Sequence, residues 1–303
     1  MPEACLVTVG LPVYNSERYL RQSLDSLLAQ TFANFVLVIS DNASTDGTAQ
    51  ICHQYAAADA RIKYSRNETN IGSPRNFNRV AELANTRYLK WSTADDFWQP
   101  TFLERALEVM ERDPTIALCY PQAVLIYEDG HNQEHYDDVL HLLQEDPADR
   151  FLTLLDKIKL SHQHLGLIRM SHLHQTHLLG AYVASDITLL AELSLYGKFF
   201  ELPHRLYFRR FHPDSSSWKR NDDAHQARRY HGTGAQPIGF NKWHRYLGLL
   251  AGVRRSPLAL QAKTRLYRYL SRHMIWDRRD LAAELVEFGR TASGGIFSRR
   301  RTN

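Results

Sequence analysis

The sequence predicts an α/β protein with a doubly wound sheet, in which helices cover both faces of the strands. Two observations lead to this prediction. Short apolar runs alternate with segments whose apolar residues recur at helical spacing, and this order repeats from the N-terminus to two adjacent acids at positions 95 and 96. The 303 residues are also enough to bury a sizeable core. The connections between strands are expected to be right-handed crossovers.

Three apolar runs are predicted to be the first strands of this sheet: Leu6 to Leu11, Phe35 to Ile39 and Ile62 to Ser65. A helix is predicted after each of them. Ser16 is a suitable N-cap for the first helix, because its hydroxyl can accept a hydrogen bond from a free backbone N–H. Pro74 suits the first turn of the third helix, where a missing N–H does no harm.

The stretch from Lys90 to Pro100 is the most informative, because a hydrophobic strand leads there into two adjacent carboxylates, Asp95 and Asp96. Pro100 is expected to start a helix, so both acids fall on a strand-to-helix connection. In an open α/β sheet ligands bind at that edge. Neighbouring acids repel, and a shared cation is the simplest reason to keep them together. An Asx-type turn that caps the next helix is the alternative.

Further strands are expected after a helix at residues 101–112, at four apolar runs: Ile116 to Tyr120, Ala123 to Tyr127, Phe199 to Leu202 and Leu206 to Phe211. Residues 128–150 are acidic and rich in turn residues, and they are interpreted as a surface loop before a helix from Phe151 to Leu160. Asp186 opens an amphipathic helix that ends before Gly197, a good C′ residue.

The pattern breaks at His212 to Ser217, where a domain boundary is predicted. Residues 1–215 would form the first domain, and residues 216–303 a basic, mostly helical extension. Residues 218–240 are polar and contain glycine, and are interpreted as a linker or a partly disordered lid.

Charge is distributed unevenly, although the net charge is only +4. Residues 1–203 carry 16 Lys and Arg against 26 Asp and Glu, whereas residues 204–303 carry 21 against 7. The last third is therefore expected to seek an anionic partner. In a helix, Arg265, Arg268 and Arg272 would share one side, opposite Leu266 and Leu270, and Arg299 to Arg301 add a basic tail. A packed helix with a solvated basic face and docking to an anionic membrane are both open, whereas nucleic acid is not expected, because no binding motif accompanies these residues.

Three cysteines, Cys5, Cys52 and Cys119, lie far apart and lack metal-binding spacing. They are interpreted as reduced core residues, which predicts a cytoplasmic location. No basic leader and no run of about 20 apolar residues is found, so any membrane contact is expected to be peripheral, on the inner face.

Three common binding motifs fail on spacing. The first strand leads into Pro12 to Asn15 rather than a G-x-G-x-x-G turn, and no G-x-x-x-x-G-K-[ST] occurs. Asn42 to Gly47 begins like a calcium loop, but His53 stands at the twelfth position, where a bidentate Glu is needed. What remains is a sheet edge with acids that follow separate strands.

Four motifs, in this order, resemble those of the family 2 glycosyltransferases of GT-A fold: Val9 to Asn15, Ser40 to Thr48, Asn70 to Asn76, and Ala94 to Asp96. They extend over roughly residues 5–215. The resemblance implies a Rossmann-like mixed sheet flanked by helices. It also implies an inverting transfer of sugar from a UDP- or GDP-type donor to a saccharide or lipid-linked acceptor, in polysaccharide or glycolipid synthesis.

The same resemblance assigns the nucleotide-binding residues. Pro12 and Tyr14 would border the pocket for the base, and Asp41 would accept a hydrogen bond from the base. Arg75 would reach towards the nucleotide, and Asp95 would lie near the ribose.

The resemblance also implies a bound metal ion and a catalytic base. Asp96 would bind Mg²⁺ or Mn²⁺, which prefer oxygen ligands and neutralise a leaving pyrophosphate, and His212 would be a metal ligand or a phosphate contact. Asp186 would deprotonate the acceptor hydroxyl. Ser185 stands where the family often has Glu, which makes a non-catalytic nucleotide- or carbohydrate-binding module the alternative. A nucleotidyltransferase ranks last, because no glycine-rich triphosphate loop follows the first strand.

A histidine-rich segment lies between residues 162 and 177 and contains His162, His164, His172, His174 and His177. In a strand, each His-x-His pair would point to one face, which is a possible metal-binding arrangement. No acid or cysteine accompanies the pairs at helical ligand spacing, so acceptor binding or plain packing is favoured.

Overall fold

The computed structural model describes residues 5–127, 133–137, 140–213, 229–232 and 240–298, with side chains as far as residue 288. Its nine strands form one mixed sheet of order β3-β2-β1-β4-β8-β6-β9-β5, and β7 pairs with β6. The strands are β1 (Val7–Val13), β2 (Phe35–Asp41), β3 (Ile62–Arg66), β4 (Tyr88–Trp91), β5 (Phe97–Trp98), β6 (Ile116–Tyr127), β7 (Gln133–Tyr136), β8 (Leu167–Arg169) and β9 (Lys198–Phe211).

Helices flank the sheet and form the C-terminal part of the described chain. They are α1 (Glu17–Leu28), α2 (Thr48–Ala58), α3 (Ser73–Leu83), α4 (Phe102–Arg112), α5 (Pro147–Lys157), α6 (Met170–Leu173), α7 (Ser185–Ser194), α8 (Asn241–Arg255), α9 (Leu260–Trp276) and α10 (Arg278–Ser298). A short 3₁₀ helix covers His162–Leu165.

The first half of the sheet has the predicted alternation. β1 pairs in parallel with β2 and with β4, and β2 pairs in parallel with β3. Every residue of β1 is buried, as expected for a parallel strand with both faces covered. Because the strands are parallel, the chain segments that follow Val13, Asp41 and Trp91 leave the sheet at the same edge.

The second half is antiparallel where β8 lies between β4 and β6, which makes the sheet mixed. β6 and β9 are single long strands, although the sequence predicted two strands for each. The two pair in parallel along their length, and register shifts just after Pro121, opposite the stretch from Leu202 to Tyr207, absorb the irregularity that looked like strand ends.

The prediction of a direct strand-to-helix connection at the acids is wrong. Phe97 and Trp98 form β5, which pairs in antiparallel fashion with Phe208 and Tyr207, and α4 begins only at Phe102. A strand of two residues has no pattern of its own, and its partner lies more than a hundred residues away in sequence.

The acidic segment 128–150 is not entirely loop either. β7 pairs with β6 inside it, and α5 begins at Pro147, four residues earlier than predicted. Asp146 explains that start, because its carboxylate accepts a hydrogen bond of 2.9 Å from the backbone N–H of Ala148 and caps the helix. Residues 128–132 and 138–139 lie outside the described residues.

The C-terminal helices pack on the body of the protein. α8 contacts α7, and α9 contacts α5 and α8. Leu249, Val253, Leu266 and Leu270 are almost fully buried and belong to the same apolar core as the sheet. The boundary at residue 215 stays a prediction, since residues 214–228, 233–239 and 299–303 lie outside the described residues. Within the described part of the chain, no helix is long and apolar enough to span a membrane, and all three cysteines are free.

Arg169, the last residue of β8, links the sheet to α4 through its buried guanidinium. Its side chain donates hydrogen bonds to the carbonyl oxygens of Ile116 (3.1 Å), Met110 (2.6 Å) and Asp113 (3.3 Å) and to the hydroxyl of Tyr88 (2.9 Å). With 5% of the residue exposed, these acceptors replace the lost water. The planar fork of arginine is what lets one side chain reach four acceptors.

We therefore expect Arg169→Lys to lower the free energy of unfolding by about 2–4 kcal/mol, because an ammonium group cannot serve the same four acceptors and leaves buried carbonyls unpaired. Urea unfolding measures the change. Arg268→Lys is the control, since Arg268 is exposed on α9 and its replacement should change stability by less than about 0.5 kcal/mol. Equal effects of the two substitutions would contradict this role.

Candidate active site

The predicted nucleotide-binding residues lie along the carboxyl edge of the parallel strands. Pro12 is buried near the end of β1, and Tyr14, 44% exposed, follows that strand. Asp41 ends β2 with its carboxylate fully buried. Arg75 is exposed in the first turn of α3. The structure therefore places these four side chains at one edge, and their roles towards a nucleotide stay predictions.

Asp41 is held by donors from the neighbouring strand and loop. Its carboxylate accepts hydrogen bonds from the hydroxyl of Tyr64 (2.8 Å) and from the backbone N–H of Ser44 (2.9 Å), and Nε of Arg66 lies 3.6 Å away. Burial and the charge of Asp41 both raise the pKa of the Tyr64 hydroxyl. The arrangement fixes the carboxylate at the end of β2.

An asparagine network, which sequence reasoning missed, holds the loop between β3 and α3. Asn76 is buried and accepts hydrogen bonds from Ser40 (2.7 Å) and Asn67 (3.0 Å), while Asn42 donates to Asn70 (2.8 Å). The same loop turns at Gly72, where φ is +86° and a Cβ atom would lie 2.3 Å from the carbonyl oxygen of Tyr230. Only glycine suits this position.

Asp95, Asp96 and Asp186 line one cavity of about 140 Å³, although they come from segments that are far apart in sequence. Polar groups from β9 and from the 3₁₀ helix complete its lining. The structure thus brings the two predicted chemical elements, the acidic turn and the candidate base, to one place.

Asp96 faces inward, and 5% of the residue is exposed. One carboxylate oxygen accepts a hydrogen bond of 2.7 Å from the backbone N–H of Arg210, and the other accepts from the hydroxyls of Thr93 and Tyr207. Burial, together with the neighbouring charge of Asp95, raises the pKa of Asp96 to about 6 in spite of these donors. The carboxylate therefore links the acidic turn to β9.

Asp95 is more open, with a third of its side chain exposed, and it meets His212. Nε2 of His212 lies 3.1 Å from its carboxylate. Burial acts to raise the pKa of Asp95, but the hydrogen bond and charge of His212 outweigh it and lower that pKa. Nδ1 of His212 is buried and has no hydrogen-bond partner among the described residues, and the ring lies 5.2 Å from that of Tyr19.

A divalent cation fits this group of residues chemically. Mg²⁺ and Mn²⁺ prefer carboxylate oxygen, and Mg²⁺ usually takes one or two carboxylates while water and substrate phosphates supply the remaining ligands. Asp95 and Asp96 supply the carboxylates, and His212 supplies a nitrogen beside them. The described residues contain no group of three or more metal-binding side chains around one point, so the protein alone does not form a complete cage there.

Asp186 lies in the first turn of α7, two residues after Ala184, whose backbone conformation is strained. Ala184 has φ of +65°, a conformation that costs about 1–2 kcal/mol for a residue with a Cβ atom. Asp186 is half-buried, accepts a hydrogen bond of 2.9 Å from the backbone N–H of Ile187, and accepts another from the hydroxyl of Ser161. The turn at Ala184 places the carboxylate in the lining of the cavity.

The histidines between residues 162 and 177 are divided among three places, and neither His-x-His pair lies in a strand. His162 and His164 lie on the 3₁₀ helix and line the cavity that also holds Asp95, Asp96 and Asp186. His172 and His174 lie in and just after α6 and line a second depression beside Arg169. Nδ1 of His177 lies within hydrogen-bonding distance, 2.9 Å, of the carboxylate of the buried Glu192.

Tyr207, Arg209 and Arg210 of β9 also line the cavity, and sequence reasoning gave them no role. Nε of Arg210 donates to the carbonyl oxygen of Asp95 (3.1 Å), and its Nη2 donates to Gln22 (2.7 Å). The two adjacent arginines were a signal, because positive charges in a lining that also holds acids favour an anionic ligand. The sequence contains no such signal for Tyr207, since its contact with Asp96 joins residues 111 positions apart.

The sequence profile of glycosyl transferase family 2 matches residues 8–176, more than half of the chain. The chain belongs to glycosyl transferase family 2. The family resemblance of its four motifs is confirmed.

Among relatives, the putative teichuronic acid biosynthesis glycosyltransferase TuaG of Bacillus subtilis is 35% identical over 145 residues, which cover 45% of this chain and 57% of that protein. The chain thus spans just over half of the length of TuaG. It spans 36% of the length of an uncharacterized Mycobacterium bovis protein that it also matches.

Two solved structures show the fold. Staphylococcus aureus TarS in complex with UDP-GlcNAc aligns with a TM-score of 0.66 at 18% identity, over 90% of this chain and 74% of that one. The mannosyltransferase PcManGT of Pyrobaculum calidifontis, in complex with GDP-Man and Mn²⁺, aligns with a TM-score of 0.54 at 17% identity, over 98% and 81% of the two chains. The predicted GT-A fold is confirmed.

The raised pKa of Asp96 predicts how stability depends on pH. Its pKa is higher in the folded chain than the value of about 3.9 in the unfolded chain, so ionisation opposes folding, and stability should fall as pH rises from about 4 through 6. Asn at this position does not ionise. We expect Asp96→Asn to gain stability relative to the wild type between pH 4 and pH 8, by about 2–3 kcal/mol.

Urea unfolding at several pH values, in EDTA, measures this difference. Asp95→Asn is the matched control, because the pKa of Asp95 is lowered and its contribution to stability changes with pH only below about pH 4, so this variant should lack the gain of Asp96→Asn between pH 4 and pH 8. Parallel pH profiles of the two variants would contradict the assignment.

Proposed function

We propose that this protein is a metal-dependent, inverting glycosyltransferase that moves a sugar from a nucleoside-diphosphate donor to an acceptor hydroxyl. The observation that carries the proposal is the meeting of Asp95, Asp96 and Asp186 in one cavity at the carboxyl edge of the sheet. Membership of glycosyl transferase family 2 supplies the class of reaction.

The donor is proposed to be of UDP or GDP type. TarS was solved with UDP-GlcNAc and PcManGT with GDP-Man, and both share the fold of this chain. Pro12, Tyr14 and Asp41 would border the base, with Arg75 near the nucleotide, and Asp95 would lie towards the ribose or the pyrophosphate.

A divalent cation is proposed at the acidic turn, and the Mn²⁺ bound by PcManGT supports it. When bound, such a cation neutralises the pyrophosphate that leaves. Asp95 is the more accessible carboxylate and already contacts His212, whereas both oxygens of Asp96 accept hydrogen bonds from the protein. This geometry favours Asp95 and His212 as the residues that face the cation. Asp96 is a further candidate ligand, and its hydrogen bonds also fix the turn.

Asp186 is proposed to be the base. Ser161 and the N–H of Ile187 orient its carboxylate, which would take the proton of the acceptor hydroxyl as that oxygen attacks the anomeric carbon. One bond forms between the acceptor oxygen and the anomeric carbon, and the bond from that carbon to the phosphate oxygen breaks. A single displacement of this kind inverts the anomeric configuration.

We expect Asp186→Asn to reduce transfer by about 10²–10⁴, because an amide cannot accept the proton, while the Kd for UDP or GDP stays unchanged. A panel of UDP- and GDP-sugars with saccharide and lipid-linked acceptors, in Mn²⁺, measures the rate. EDTA should abolish it and Mn²⁺ or Mg²⁺ should restore it. Glu82→Gln, an exposed change on α3, is the control. Full activity of Asp186→Asn would rule out this base, and nucleotide binding without turnover by the wild type would contradict the enzyme proposal.

The C-terminal extension is proposed to bring the enzyme to an anionic membrane surface, where a lipid-linked acceptor would be found. Arg268 and Arg272 are exposed on α9. Ile275 and Trp276 near the end of that helix are 61% and 59% exposed, and the guanidinium of Arg272 lies 5.1 Å from the centre of the Trp276 ring. Basic side chains beside an exposed tryptophan suit the headgroup region of a bilayer.

We expect the full chain to bind vesicles that contain phosphatidylglycerol and to release them as salt is raised. The double variant Arg268→Gln, Arg272→Gln should bind about 30-fold more weakly, because each basic side chain near such a surface contributes about 1 kcal/mol. The double variant Lys63→Gln, Arg112→Gln removes two exposed charges elsewhere and is the control. Equal binding to neutral vesicles, or no binding at low salt, would contradict this contact.

A further inference from the structure

His162 is a buried histidine in the lining of the active-site cavity, and it makes no hydrogen bond with the residues that the structure describes. The residue is 4% exposed, and its Nδ1 is fully buried. No other described residue hydrogen-bonds to either ring nitrogen. Tyrosine rings surround the imidazole: Tyr207 is stacked at 5.7 Å between centroids, and Tyr136 and Tyr120 lie edge-on at 5.6 and 6.2 Å.

Such an arrangement is costly unless something else completes it. A buried polar group without a partner costs about 1–3 kcal/mol, and most buried polar groups in native proteins have one. A phenylalanine could make the same ring contacts with the tyrosines without that cost. The buried imidazole of His162, which has no hydrogen-bond partner among the described residues, therefore indicates a ligand that hydrogen-bonds to it when the cavity is filled.

The protonation state of His162 narrows the chemistry of that ligand. Burial, reinforced by the positive charge of Arg209, lowers the pKa of His162 to about 3, so the ring is neutral at physiological pH. A neutral imidazole offers one N–H donor and one nitrogen acceptor. A hydroxyl group both donates and accepts, so it can pair with whichever nitrogen faces the cavity, whereas a phosphate would be better served by the neighbouring arginines.

The position of His162 indicates which part of the substrate it contacts. The ring stacks on Tyr207, whose hydroxyl donates to Asp96 in the acidic turn. The preceding residue, Ser161, donates to Asp186. His162 thus lies between the proposed site of the leaving pyrophosphate and the proposed base, and the sugar that is transferred must lie between these two groups.

We propose that His162 binds a hydroxyl group of the transferred sugar and contributes to the selection of the donor sugar. The proposal rests on the proposed glycosyltransferase mechanism. His164, which lines the same cavity, is less suited to this role, because its Nδ1 already lies 2.5 Å from the carbonyl oxygen of Ser161.

The test compares three variants of the full chain: His162→Phe, His162→Gln and His172→Phe. Phenylalanine keeps the contacts with the tyrosine rings and removes both nitrogens. Glutamine places an amide near the position of Nε2 and can replace a hydrogen bond to it. His172 is the matched control, since its Nδ1 is also buried without a partner among the described residues, but it lines the other depression.

Calorimetry in Mn²⁺ gives Kd for UDP, GDP, UDP-glucose, UDP-GlcNAc and GDP-mannose. The informative quantity is the ratio of Kd for the nucleotide sugar to Kd for the matching nucleoside diphosphate. For the sugar whose hydroxyl is bound, we expect this ratio to rise about tenfold in His162→Phe, which corresponds to 1.4 kcal/mol, to be partly restored in His162→Gln, and to be unchanged in His172→Phe. Kd for the nucleoside diphosphates should be unchanged in all three.

Other outcomes overturn the proposal in distinguishable ways. An unchanged ratio in His162→Phe, or an equal loss for nucleotide and nucleotide sugar, rules out the sugar contact and leaves the proposed function intact. A rise in the acceptor KM with an unchanged ratio assigns the histidine to the acceptor instead. Failure of the wild type to bind any of the nucleotide sugars overturns the proposed function, and the role of His162 with it.

Discussion

The buried carboxylate of Asp96 is the constraint on which the rest of the site depends. A carboxylate with 5% exposure must have hydrogen-bond donors, and it takes them from its own turn and from β9. The last strand of the chain's sheet is thereby fixed against the end of β4. β9 in turn pairs with β6 along its length, so the position of the acidic turn is linked to the second half of the sheet.

Other parts of the site are held in place by local strain and by saturated polar networks. Ala184 accepts a left-handed backbone conformation just before Asp186, and Gly72 does so at the start of α3. Asn76 accepts hydrogen bonds from Ser40 and Asn67 and donates one to the carbonyl oxygen of Ser40. These bonds connect the loop before α3 to the end of β2. Groups that are already oriented before substrate arrives need not be ordered during the reaction, which is the usual advantage of a preorganised site.

The lining of the cavity combines two electrostatic environments. At one end, two neighbouring carboxylates lie beside His212 and Arg210, where a cation and a phosphate group can both be accommodated. Elsewhere, the lining holds Asp186, the neutral imidazole of His162 and serine hydroxyls. Charged groups would hold the nucleotide, whereas neutral donors and acceptors suit the hydroxyl groups of a sugar. Under the proposed function, this difference would allow separate recognition of the two parts of a donor.

The sequence by itself determined the alternating strands and helices, the acids at the ends of β2 and β4, and the candidate base at the start of α7, because these depend on local periodicity, capping and turn chemistry. It could not reveal β5, the contact of Asp96 with Tyr207 or that of Asp95 with His212, since each joins residues more than a hundred positions apart. The environment of His162 was equally hidden. Its spacing in a His-x-His pair does not reveal its surroundings, because the ring is buried among tyrosines from three strands. Burial and partners of this kind are decided only when distant strands pair, and they give a polar residue its chemical role.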